Sequence, residues 1–62
     1  MPKVRDAIRL VERDGWVLVR TAGSHRIYHH PVKIGMVVIA GQRNEDLATG
    51  TWQNILKQAG LK

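Results

Sequence analysis

The chain has no cysteine, only five acidic residues and no long apolar run. Without thiols it has neither disulfides nor thiolate zinc ligands, which excludes a stapled secreted scaffold and a zinc-finger framework. A reducing cytosol fits that composition. No apolar stretch approaches the roughly 18 residues of a membrane span. The opening MPKVRDAIRL lacks the continuous apolar segment of a secretory signal and carries Asp6. These absences lead to the expectation of a cytoplasmic protein with no membrane partner. At 62 residues there is room for one domain, residues 1–62, with a single core between two layers. A separate cofactor domain does not fit, and no cofactor is expected.

The scarcity of acid leaves a basic excess. Ten Lys and Arg against five Asp and Glu give a formal charge of +5. On so small a body this favours a polyanionic partner, nucleic acid first. Solubility alone would account for it equally well.

Apolar periodicity predicts the elements. Val4, Ala7, Ile8 and Val11 fall at i, i+3, i+4 and i+7, a helical stripe. Pro2 suits its first turn and Gly15 its end. Arg5, Arg9 and Arg13 form a row at i+4 spacing outside that stripe, read first as a solvated face. WVLVRT is a strand, AGS a tight turn around Gly23, and HRIYHH a second strand ended by Pro31. After a turn through Lys33 and Gly35, MVVIA is a third. GQRNED is a polar loop. Trp52, Ile55, Leu56 and Ala59 then mark a second helix, with Thr49 or Thr51 as its cap and Gly60 at its end. The order α-β-β-β-α predicts an α+β, two-layer fold: a three-stranded antiparallel sheet with both helices on one face.

All three histidines lie in or beside the second strand. His25, Ile27 and His29 share one sheet face; Arg26, Tyr28 and His30 share the other. If Tyr28 packs in the core, His25 stands on the open face beside the hairpin tip. An exposed imidazole among basic residues suits RNA cleavage. The ribose 2′-hydroxyl is an internal nucleophile, so the protein need only move protons and steady the phosphate charge. That chemistry needs no metal ligand set. Three other readings compete: a His25/His29/His30 metal site, serine–histidine hydrolysis from Ser24 and His25, and histidines that only decorate a hairpin. The first lacks helical spacing and an evident carboxylate, and the second lacks an orienting acid. The residues alone do not choose between cleavage and decoration.

From Val4 to Leu61 the chain resembles the HicA family of toxin mRNA interferases. The resemblance rests on DGWVLVR, GSHRIY followed by HHP, the short strand MVVI, and DLATGT with ILKQAGL. It implies a fold like the double-stranded-RNA-binding domain. It also implies metal-independent endonucleolytic cleavage of mRNA by the histidine after the Gly-Ser pair, here His25. Gly23, Ser24, Arg20, Arg26, Lys33 and Arg43 become candidate RNA contacts. The implied partners are mRNA and a HicB-like antitoxin, joined to the toxin in a hetero-oligomer that relieves translation arrest. The chain departs from the family after the third strand. There AGQRNE replaces a segment that often carries proline and a basic residue or histidine, so Gln42 and Arg43 stand in. With one histidine in the motif, either His25 makes both proton transfers or another group or water makes the second. The alternative function is a non-catalytic RNA-binding module.

Overall fold

The stripe formed by Val4, Ala7, Ile8 and Val11 is buried along one face of an α-helix, Val4–Arg13 (α1), in the computed structural model, which describes residues Met1–Lys62. The strands follow as Val17–Ala22 (β1), His25–His29 (β2) and Val37–Ala40 (β3), and a second helix, Thr49–Gln58 (α2), closes the order α-β-β-β-α. The sheet is antiparallel in the order β1-β2-β3. Tyr28 pairs with Val37 and Arg26 with Ile39, so these four side chains share the face beneath the helices. Tyr28, Val37 and Ile39 join the α1 stripe, Trp16, Leu47, Ile55 and Ala59 in one core, with Trp52 half-buried at its rim. The predicted α+β architecture is the observed one.

Both helices pack on β3, which leaves β1 overhanging. No β1 residue is buried, although Val17, Leu18 and Val19 are apolar.

Element ends differ from expectation in instructive ways. Pro2 lies outside α1. Lys3 is the N-cap, and its backbone N–H is held by the Asp6 carboxylate at 2.8 Å. The free N–H groups of the first turn, which a helix cannot satisfy internally, donate instead to the 43–45 loop: Val4 to the Glu45 carbonyl and Arg5 to the Arg43 carbonyl. Neither Thr49 nor Thr51 caps α2. Ala48 occupies that position without a side-chain bond, and Thr49, Gly50 and Thr51 form the first turn. The second strand stops at His29 because His30 leaves the ladder for the end of α1.

Candidate active site

The hairpin between β1 and β2 is as short as a hairpin becomes. Ala22 pairs with His25, leaving only Gly23 and Ser24 between them. Gly23 has φ +59° and Ser24 is not left-handed, the pattern of a turn with glycine at its first central position. His25 is therefore the first ladder residue beyond the bend. The tip is tied down from β3, where the Gly41 N–H donates to the Ser24 carbonyl at 3.2 Å.

With Tyr28 in the core, alternation places His25, Ile27 and His29 on the open face. His25 is exposed there. Its cross-strand neighbours are Ala22 and Ala40, two of the smallest side chains, so the imidazole has free space on both sides. Only the pairing register shows that these alanines flank His25. The ring forms no hydrogen bond within the protein.

Arg20 reaches the same face through an irregularity in β1. Leu18 pairs with Tyr28 and Arg20 with Ile27, so Val19 is an extra residue, a β-bulge. In a regular strand Arg20 would share the core-facing side of Leu18. The bulge turns it over, one diagonal step from His25, within about 7–8 Å between backbones and within reach of a long side chain. Nothing in the residues around Val19 signals this.

The other candidates sit differently. Arg26 faces the helix side, and its guanidinium donates to the Gly41 carbonyl at 2.8 Å. Arg43 is exposed in the loop that follows Gly41, at the hairpin-tip end of the molecule. Lys33 lies beyond the far end of β2. Its ammonium pairs with the Asp14 carboxylate and donates to the Ala59 carbonyl at 3.0 Å, joining the C-terminal ends of both helices. That bond from Lys33 holds the Asp14 carboxyl below its ordinary value of 3.8. As placed, Lys33 and Arg26 are fastened to the fold and lie away from His25.

The histidines divide as sharply. The His30 Nδ1 accepts the Val32 and Lys33 N–H groups at 3.0 Å, so its Nε2 carries the proton and donates to the Asp14 carbonyl at 2.7 Å. The ring meets Trp16 edge-on, with centroids 5.2 Å apart. His29 is exposed. No three His, Cys, Asp or Glu side chains converge anywhere in the chain, so the three imidazoles form no common site. Burial pushes the Tyr28 phenol above 10.0, and its place beneath the sheet separates it from the His25 face.

A family model described as the HicA toxin of bacterial toxin–antitoxin systems matches residues 4–61. The chain belongs to the HicA toxin family. Comparison with curated proteins finds no match. Membership carries a toxin role and a toxin–antitoxin pairing. No helix of this HicA toxin is long and apolar enough to cross a membrane.

Proposed function

We propose that this HicA toxin is a metal-independent endoribonuclease that cleaves mRNA, arrests translation and is restrained by a HicB-like antitoxin in a hetero-oligomer. The observation that carries the reading is the exposed His25 imidazole on the open sheet face, flanked by alanines and diagonal to Arg20.

The chemistry follows from what such a face offers. The 2′-oxygen attacks the adjacent phosphorus as His25 takes its proton. The phosphorus–5′-oxygen bond breaks, and His25 in its protonated form returns a proton to the departing 5′-oxygen. The products are a 2′,3′-cyclic phosphate and a 5′-hydroxyl. Proton transfer of this kind contributes about 10²–10⁴-fold. Arg20 neutralises charge on the phosphorane, and Ser24 and the Gly23 bend let the phosphate approach the tip. Arg43 extends the contact along the strand. The exposed Val17 and Val19 of β1, with Val32, Ile34 and Met36 before β3, supply an apolar surface of the kind protein partners cover.

The test is RNA integrity in cells and in vitro with His25→Ala. The variant folds as wild type and leaves RNA intact. A substrate lacking the 2′-hydroxyl at the scissile nucleotide survives the wild-type protein, and EDTA leaves cleavage unchanged. Cleavage by His25→Ala at the wild-type rate rejects the mechanism. RNA that is bound but never shortened by the wild type identifies a non-catalytic RNA-binding module instead.

A further inference from the structure

We propose that the groove between α1 and α2 is a second RNA contact site, in which Arg9 and Arg13 hold phosphates and the Trp52 indole stacks a base. The proposal rests on the reading of the chain as an RNA-acting toxin, but it concerns the helix side of the molecule, away from the His25 face.

The groove has a volume of about 280 Å³ and is lined by Asp6, Arg9, Leu10, Arg13 and Trp52. Its charge is unspent. The ion pairs of the protein are Lys3–Asp46 and Lys33–Asp14, so neither groove arginine has a carboxylate partner. The one acid in the groove, Asp6, accepts the Lys3 backbone N–H through one oxygen and pairs with neither arginine. Like charges four residues apart on a helix repel; Asp6 and Glu12, three residues either side of Arg9, offset part of the repulsion among Arg5, Arg9 and Arg13, and a bound anion relieves the rest. Trp52 is half-buried and packed on the core, so its indole is a fixed platform.

These features favour a nucleic-acid strand over an acidic peptide. Guanidinium forks match phosphate oxygens, and a rigid indole accepts a base of any identity. The space is at the small end of ligand pockets, the scale of one nucleotide. A peptide carboxylate would satisfy the arginines and leave the indole without a planar partner.

The groove is also connected to the hairpin tip. Successive arginines on α1 rise by about 6 Å, and Arg5 at the head of the row is bonded through its backbone to Arg43. The chain from Arg43 leads back to Gly41, which is bonded to Ser24 beside His25. The molecule measures 16 Å across its thinnest dimension, so a strand of a few nucleotides passes from the groove round this end to the open face.

The experiment uses a short 2′-O-methyl oligoribonucleotide, which cannot supply its own nucleophile, and reads binding by fluorescence anisotropy across a salt series. Arg9→Gln with Arg13→Gln is expected to weaken binding by roughly tenfold and to reduce the salt slope by roughly 1.4, the value for two single-strand phosphates. Arg9→Lys with Arg13→Lys keeps the slope. In the wild type the Trp52 indole N–H resonance moves on titration while that of buried Trp16 does not. Unchanged affinity and slope in the glutamine pair, with a stationary Trp52 resonance, overturn the proposal. It is overturned equally if that pair binds the oligonucleotide normally but loses an acidic peptide. Failure of the nuclease reading looks different: wild type and His25→Ala both leave cleavable RNA whole, while this binding assay is unaffected.

Discussion

Replacing His30 with alanine should unfold the far end of the molecule without touching the face that carries His25. The bond from His30 Nε2 to the half-buried Asp14 carbonyl, 2.7 Å long, is worth about 1 kcal/mol net. The Val32 and Lys33 N–H groups share the single Nδ1 acceptor at 3.0 Å, the Val32 bond exposed to water, so together they add about 1 kcal/mol. The edge contact with Trp16 at 5.2 Å adds about 0.5–1 kcal/mol. The loss of about 2–3 kcal/mol is a large part of what a domain this small holds, about 3–9 kcal/mol. At about 4–8 °C per kcal/mol, the midpoint of thermal unfolding drops by about 10–20 °C. Circular dichroism melts of the three single alanine variants check it. His30→Ala melts early, exposed His29→Ala melts within about 3 °C of wild type, and His25→Ala keeps its stability while losing cleavage. If His30→Ala melts with the wild type, or His29→Ala falls as far, the assignment of His30 as a structural pin is wrong.

Arg20 and Arg26 should respond in opposite ways. Arg20→Gln lowers the salt slope of RNA binding by roughly 0.7 at unchanged stability, whereas Arg26→Gln loses the Gly41 bond and about 1 kcal/mol of stability in a urea titration. A neutral Arg26 variant of full stability would refute the second assignment. The Asp14–Lys33 pair makes stability depend on acid. Because the folded carboxyl lies below 3.8, its contribution is complete above that value and disappears as pH falls through the lower folded value. Urea midpoints of wild type and Asp14→Asn therefore differ near neutrality and converge at strongly acidic pH; a constant gap contradicts the pairing.

Local pattern and long-range commitment were not equally legible. The α1 stripe could be read residue by residue, since Val4, Ala7, Ile8 and Val11 are all buried and helical period is a property of near neighbours. The same holds for β2, where assigning Tyr28 to the core put His25 on the open face. In α2 the stripe was right in direction but graded in depth: Ile55 and Ala59 are buried, Trp52 and Leu56 only half so. The roles of His30 and Lys33 could not be read. Their partners lie 16, 19 and 26 residues away, and only the meeting of two helix ends creates them. Arg26 stood as a candidate RNA contact because the carbonyl it binds comes from Gly41, 15 residues on. Leu47, in a polar stretch without periodicity, is buried because the 43–47 segment folds back over the head of α1, where its N–H donates to the Pro2 carbonyl.

The extra residue in β1 changes what a mutational survey of this toxin can see. At Val19 the identity of the side chain matters little, because it is exposed on an overhanging strand; its part is to sit unpaired between Leu18, opposite Tyr28, and Arg20, opposite Ile27. A library of substitutions would pass over the position as permissive. A library of single-codon deletions would test the bulge directly: removing Val19 leaves Leu18 opposite Tyr28 and Arg20 opposite Ile27 in a regular ladder, so β1 loses its local twist while the guanidinium stays on the His25 face.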